Sequence, residues 1–318
     1  MTMRIVFMGT PDFAVPSLEA LLKSGDQVVG VVTQPDRPKG RGQEVIPSPI
    51  KVVCQREGIS MLQPLKMKAP EFMATLRHWE PDVIVVAAFG RILPPAILEL
   101  PPRGCINVHG SLLPKYRGAG PVQWAVINGE RETGITTMMM DEGMDTGDML
   151  LQERVEIRPD DTAGTLALRL AEVGGRLLVE TLRQLKAGTL SPQPQDPSLA
   201  TMAPLLKKED GLIDWTLPAQ DIANRVRGLS PWPGAYTFVN GERWILWRVG
   251  LSEESQGVVA GTVTQVTKDR VEVATGRGTI QIVEIQPSNS RRMTMIQYLA
   301  GHRLTQGISL QGPPPVQD

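Results

Sequence analysis

Apolar residues recur along the first half of the chain in two alternating rhythms. Short apolar runs at residues 4–8, 27–33, 83–89, 105–109 and 135–140 read as strands. Between them, residues 16–24 place Leu18, Leu21 and Leu22 on one helical face and end at Gly25, and residues 50–58 and 70–78 read as further helices. The run at 83–89 is almost wholly apolar, as a central parallel strand covered on both faces requires. Residues 149–157 read as an edge strand. A helical pattern then runs from near Thr162 to Leu185, with Asp160 or Asp161 as its cap and Gly174-Gly175 as a break. Strands alternating with helices predict an α/β fold, a Rossmann-like, mostly parallel sheet with flanking helices.

The rhythm is lost after residue 189. The stretch "TLSPQPQDPSLATMAPL" carries four prolines and reads as an interdomain linker. Beyond it, one helix near 219–229 precedes closely spaced β-like runs at 235–239, 244–249, 261–266, 270–274 and 279–285, which fit a small barrel. The expected organisation is therefore a first domain at 1–189, a linker at 190–206 and a smaller β-barrel domain at 207–318. A chain of 318 residues is long enough for two domains.

Composition changes this picture little and excludes several classes. The 41% hydrophobic and 21% charged residues are those of an ordinary globular protein. No apolar run approaches the ~20 residues of a membrane span, and the start lacks a signal-peptide pattern. Cys54 and Cys105 provide no disulfide framework and no metal-ligand spacing, so a reduced, cytoplasmic protein is expected. A formal net charge of −1 argues against a dedicated nucleic-acid binder. The Gly- and Pro-rich stretch 36–51 nevertheless gathers Arg37, Lys39, Arg41 and Lys51 against Asp36 and Glu44. It reads either as a solvated surface loop or as a basic arm for a polyanion. A dinucleotide site is rejected, because Gly9-Thr10-Pro11-Asp12-Phe13-Ala14 has one glycine where the fingerprint needs three. No Walker-type Gly-Lys-Ser/Thr is present either.

Candidate chemistry gathers where ligands of open α/β sheets collect, beyond the carboxyl ends of strands. Alternation along 105–109 sends Asn107 and His109 to one side and Val108 to the other. The acidic, glycine-rich loop 141–148 could bring a carboxylate to that imidazole. Amide, imidazole and carboxylate together suit acyl transfer to an amine. Asn107 and a protonated His109 would hold the developing oxyanion, and the acid–base pair would move the proton. Cys105 lies on the same face but roughly 13 Å from His109, and no nucleophile-elbow pattern surrounds Ser111. Taken alone, a histidine at a strand end is more often structural than catalytic.

Five stretches carry a family resemblance: "FMGTPDFAVPSLEAL", "TQPDRPKGRGQEVIPSPIK", "AAFGRILP", "GCINVHGSLLPKYRGAGPVQWA" and "MDEGMDTGDML". A weaker echo is "IDWTLPAQDIANRVRGLSPWPGA". With these the chain resembles the folate-dependent formyltransferases, and most narrowly the methionyl-tRNA formyltransferases. The resemblance implies formyl transfer from 10-formyltetrahydrofolate to the α-amine of initiator methionyl-tRNA, by direct amine attack and without a metal. It implies catalytic roles for Asn107, His109 and Asp145, preferring Asp145 over Asp141 and Asp148. Folate would lie against Arg91, Ile92 and Leu93 and the turn Ser111, Leu112, Leu113 and Pro114, largely through backbone groups. Lys39 and Arg41 would contact tRNA, and the second domain would be an OB-like barrel holding the tRNA backbone. From Lys207 onward the chain has twelve Lys/Arg and eleven Asp/Glu, which is less basic than a tRNA platform suggests. Lys207, Lys208, Arg291 and Arg292 are its candidate contacts. A monomer with no membrane partner is expected. The alternatives are a related formyltransferase or hydrolase acting on a small amine or water, and a non-catalytic RNA-binding protein of the same fold.

Overall fold

A computed structural model describes residues 2–39, 44–252 and 257–310. Its first sheet contains β1 (Arg4–Gly9), β2 (Gln27–Val32), β5 (Met61–Leu62), β6 (Val83–Ala87), β7 (Cys105–His109), β8 (Glu132–Met139) and β9 (Met149–Glu156), in the order β5-β2-β1-β6-β7-β8-β9. Pairing is parallel from β5 through β7 and antiparallel for β7–β8 and β8–β9, so the sheet is mostly parallel. Between β2 and β5 a short hairpin, β3 (Arg37–Lys39) and β4 (Glu44–Ile46), occupies the basic stretch.

Helices α1 (Val15–Lys23), α2 (Pro49–Glu57), α3 (Pro70–His78), α4 (Pro95–Leu98), α5 (Pro121–Ile127) and α6 (Ala163–Ala187) alternate with these strands. Their ends follow local chemistry. Ser48 caps α2 by accepting from the Lys51 N–H at 3.1 Å, and Gly58 closes it in the left-handed region. Pro70 occupies the first turn of α3. The cap of α6 is Thr162, whose hydroxyl accepts from the Thr165 N–H at 3.1 Å, rather than Asp160 or Asp161.

Two side-chain layers cover the sheet. Val6, Met8, Ile84, Val86 and Cys105 pack with Phe72, Met73 and Leu76 of α3 and with Phe89, Leu93 and Ile97 around α4. On the other face Val108 meets α6, where a Cβ on Gly174 would stand 3.0 Å from the valine Cγ1. Thr137 and Thr181 hydrogen-bond each other across the same interface at 2.8 Å, which satisfies two fully buried hydroxyls. The two glycines do not break α6. They let it lie against β7 and α1, since a Cβ on Gly175 would meet the Pro16 carbonyl oxygen at 2.7 Å.

The second sheet contains β10 (Ala235–Val239), β11 (Glu242–Ser252), β12 (Val263–Val266), β13 (Val271–Ala274) and β14 (Thr279–Pro287), following α7 (Ala219–Gly228). Its order is β10-β11-β14-β13-β12, all antiparallel. β15 (Met293–Thr294) pairs β14 and leads into α8 (Met295–Leu299), which starts with a Thr294/Gln297 capping box. Trp215, Ile222, Val226, Trp244, Leu246 and Ile280 are among the residues of its core, and the Trp215 indole N–H reaches the Thr237 hydroxyl at 3.0 Å.

The chain divides into two compact units, Met1–Pro121 with Glu132–Glu156 and Leu166–Pro204, and Val122–Arg131 with Ile157–Thr165 and Leu205–Asp318. The proline-rich stretch that composition reads as a linker therefore counts with the first unit as far as Pro204. It is fixed there by backbone pairing of Gln193 with Met149 and of Thr201 and Ala203 with Arg117.

Candidate active site

β7 carries the first two side chains. Its alternation puts Val108 against α6 and turns Asn107 and His109 to the opposite face, where both meet Asp145. Asn107 Nδ2 donates to Asp145 Oδ1 at 3.4 Å, and His109 Nδ1 lies 3.6 Å from Asp145 Oδ2. The imidazole is 5% exposed and the carboxylate 18%, so the group is mostly shielded yet reachable. At 3.6 Å the imidazole and carboxylate are neighbours rather than hydrogen-bonded partners.

The acidic loop reaches this point by an unexpected route. Because β8 runs antiparallel to β7, its exit lies at the start of β7, where the Met140 N–H bonds the Cys105 carbonyl at 2.8 Å. It does not leave from the carboxyl ends of the parallel strands. The loop must run back over the sheet face, and it is braced to do so. Asp141 accepts from the Thr146 hydroxyl at 2.7 Å and the Gly143 N–H at 3.0 Å, so this carboxylate holds the loop. Of Asp141, Asp145 and Asp148, it is Asp145 that meets Asn107 and His109. Its backbone is in the left-handed region, at φ 54°, an uncommon conformation for a residue other than glycine.

A single short segment supplies backbone groups to both partners. The Tyr116 carbonyl faces His109 Nε2 at 2.9 Å. A carbonyl only accepts, so Nε2 carries the proton and Nδ1 is the nitrogen turned to Asp145. The Gly118 N–H donates to Asp145 Oδ2 at 2.9 Å. Gly118 has φ 118°, and a Cβ there would stand 2.7 Å from the Ala203 carbonyl oxygen, so only glycine fits. Gln195 completes the arrangement. Its Nε2 donates to the carbonyls of Asp145 and Gly147, and its Oε1 accepts from Arg117. Sequence reasoning missed Tyr116, Arg117, Gly118 and Gln195.

The expected folate residues fall into two groups. Arg91 donates through Nη1 to the Pro64 and Leu65 carbonyls at 3.1 and 3.0 Å, which occupies that nitrogen structurally. Ile92 is 82% exposed and Leu93 is buried. Ile92 and Leu93 border a cleft of about 390 Å³ with Met67, Lys68, Pro94, Pro95 and Glu142. The second group is the turn at 111–114. The Ser111 hydroxyl donates to the Lys115 carbonyl at 2.6 Å. The Ser111, Leu112 and Leu113 carbonyls already accept from Thr136, Lys115 and Gln152 respectively. The protein thus sets the outline of the turn, with Leu112 and Pro114 half-buried on it.

Among the basic residues, Lys39 ends β3 and Arg41 lies outside the described residues. Lys51 is engaged at the base of the hairpin, donating to Asp36 and to Gln63 Oε1. The hydrogen bond from Lys51 holds the Asp36 carboxyl below its ordinary range, and Gln63 adds to it. Lys207, Lys208, Arg291 and Arg292 are exposed. Arg292 pairs with Glu284 and lies over the Trp247 ring at 5.1 Å. Among the described residues no three His, Cys, Asp or Glu side chains are grouped to hold a metal. No described helix is long and apolar enough to cross a membrane.

Comparison with known proteins adds family information to this geometry. Residues 3–182 match the formyl transferase family, and residues 205–303 match the formyl transferase C-terminal domain. A methionyl-tRNA formyltransferase of Geobacter metallireducens is 51% identical over 306 residues, covering 96% of this chain and 98% of its own length. Among solved structures, HypX from Aquifex aeolicus in complex with tetrahydrofolic acid superposes with a TM-score of 0.64 at 19% identity. The match covers 94% of this chain and 47% of that one. A methionyl-tRNA formyltransferase from Clostridium thermocellum superposes with a TM-score of 0.55 at 18% identity, over 86% of this chain and 100% of that one. At these identities the structural likeness bears on the fold alone.

Proposed function

Because the chain belongs to the formyl transferase family, in its methionyl-tRNA formyltransferase branch, we propose that it transfers the formyl group of 10-formyltetrahydrofolate to the α-amine of initiator methionyl-tRNA. The observation that carries this reading is the convergence of Asn107, His109 and Asp145 on one face of the sheet. In the reaction the amine nitrogen bonds the formyl carbon, the bond from that carbon to N10 of tetrahydrofolate breaks, and the amine's proton passes to N10. Asn107 Nδ2 donates to the formyl oxygen as it gains negative charge, and His109 Nδ1, once it has taken the amine's proton, donates to that oxygen before the proton passes to N10. Tyr116 keeps the other ring nitrogen protonated, so Nδ1 is the atom that moves the proton. Asp145 orients the ring and balances the positive charge that forms on it. No step requires a covalent enzyme intermediate.

The cleft beside Ile92 and Leu93 has an apolar wall of Met67, Pro94 and Pro95 with Lys68 and Glu142 at its border. The apolar wall suits a flat aromatic body, and Lys68 supplies a cation at its edge. Likeness at 51% identity over nearly the full length supports a tRNA acceptor rather than a small amine. Contacts of Lys39, Arg41 and the exposed basic residues of the second unit with tRNA belong to this proposal.

The test is formyl transfer from 10-formyltetrahydrofolate to initiator methionyl-tRNA, elongator methionyl-tRNA and a free amino sugar. Turnover on the initiator alone is expected, falling by about 10²–10⁴ in His109→Ala. Turnover only on the sugar would keep the chemistry and replace the acceptor. Undiminished transfer by His109→Ala would remove the catalytic assignment.

A further inference from the structure

Gln195 comes from the proline-rich stretch, 50 residues beyond Asp145 in sequence. It is nevertheless buried, at 9% exposure. Its amide uses every hydrogen-bonding position it has. Nε2 donates to the Asp145 carbonyl at 2.8 Å and to the Gly147 carbonyl at 2.7 Å. Oε1 accepts from Arg117 Nε at 2.9 Å and Nη2 at 2.7 Å. The orientation of the amide is unambiguous: a guanidinium only donates and carbonyls only accept, so the oxygen must face Arg117 and the nitrogen the loop.

Both ends of this bridge lead to the candidate site. One end grips the backbone of Asp145, the residue held at φ 54° with its carboxylate beside Asn107 and His109. The other end grips Arg117, which lies between Tyr116, whose carbonyl meets His109, and Gly118, whose N–H meets Asp145. The same segment is fixed a second time, by the Arg117 N–H on the Thr201 carbonyl at 2.8 Å and the Ala203 N–H on the Arg117 carbonyl at 2.7 Å.

We propose that Gln195 is a positioning residue for formyl transfer, setting the separation of the Asp145 carboxylate from His109 by tying the Asp145–Gly147 backbone to Arg117. It touches no substrate and acts through Asp145. This inference rests on the function proposed above. A shift of about 1 Å in a reacting group can cost on the order of 10² in rate. Losing the bridge therefore lowers the chemical step more than it weakens binding.

The experiment is steady-state transfer to initiator methionyl-tRNA by the full chain and by Gln195→Ala, Gln195→Glu, Asp145→Asn and the Gln195→Ala/Asp145→Asn pair. The expected loss in Gln195→Ala is on the order of 10²-fold in kcat, with KM for both substrates within about twofold. Gln195→Glu keeps the size and the partner for Arg117 but has no N–H for the two carbonyls, so it also loses rate. It carries the test if the alanine variant does not fold. In the Asp145→Asn background the alanine change costs less than about threefold, because the group it positions has already been removed. Full kcat in both single variants, or an undiminished loss in the Asp145→Asn background, overturns the inference. A parent chain that transfers no formyl group overturns the function on which it rests. An active parent with fully active variants overturns this inference alone.

Discussion

Cys105 shares its face of β7 with Asn107 and His109, so it is the residue a covalent mechanism would reach for first. Burial pushes its thiol up from the ordinary 9.0 to about 12, and its Sγ lies 3.6 Å from the Ile97 carbonyl oxygen. Burial likewise pushes Cys54 up to about 11. The thiolate is the reactive form, so iodoacetamide at about pH 8 should label neither cysteine in the folded protein and both in denaturant, as read by intact mass. Prompt labelling of Cys105 in active protein would reopen the covalent route. The sign of the linked stability follows from the same values. Between 9.0 and about 11 or 12 the folded chain keeps protons that the unfolded chain releases. The contribution of the thiols is thus complete below pH 9.0 and declines as pH rises through that window. At this scale strand alternation alone made the shared direction of Asn107 and His109 legible. Gln195 was illegible, because an amide in a proline-rich stretch carries no periodic signal and its partner Arg117 lies 78 positions away.

The long helix α6 shows where element-level reading succeeds and where it inverts. Its apolar spacing announced the element, while Gly174-Gly175 suggested a break that is absent. A glycine pair can mean weak helix or close approach, and only the neighbouring elements decide which. Alanine at Gly175 gains about 1 kcal/mol in helix propensity. Its Cβ, however, would meet the Pro16 carbonyl oxygen at 2.7 Å and the carbonyl carbon at 3.0 Å. Backbone cannot swing aside, and overpacking costs about 1–3 kcal/mol. Gly175→Ala is therefore expected to melt below the parent. Gly174→Ala, which meets a valine methyl at 3.0 Å, should lose less. A melting temperature for Gly175→Ala above the parent's would mean that α6 and α1 pack more loosely than this geometry requires. Elements with a full period of pattern, such as α3, β6 and β7, were legible. The four-residue α4, five-residue α8 and two-residue β15 are too short for any period to register. Likewise, the composition of the basic stretch could not distinguish a hairpin from an open loop.

For the whole molecule, the order of the chain and the order of the units differ. Composition placed a single linker at 190–206 between two continuous domains, whereas the second unit also takes in segments 122–131 and 157–165. Ile127, near the end of α5, belongs to the core that contains Ile222, Val226 and Trp244. The Asp161 carbonyl accepts from Arg227 Nη1 at 2.9 Å. Segments 122–131 and 157–165 thus draw their support from residues beyond 205, although both precede them by a long stretch of sequence. A chain ending at Pro204 keeps the seven-stranded sheet and loses what covers those two segments. In hydrogen exchange, β1, β6 and β7 should stay protected in such a truncated chain while 122–131 and 157–165 exchange freely. Full protection of those segments would show that they are held within the first unit after all. The distinction bears on how acceptor specificity is tested. Deleting the second unit removes any tRNA contact it makes and also the residues that segments 122–131 and 157–165 pack with, so lost transfer would not separate the causes. Substitutions at exposed Lys207, Lys208 and Arg291, which leave both cores intact, isolate the contribution of the tRNA body.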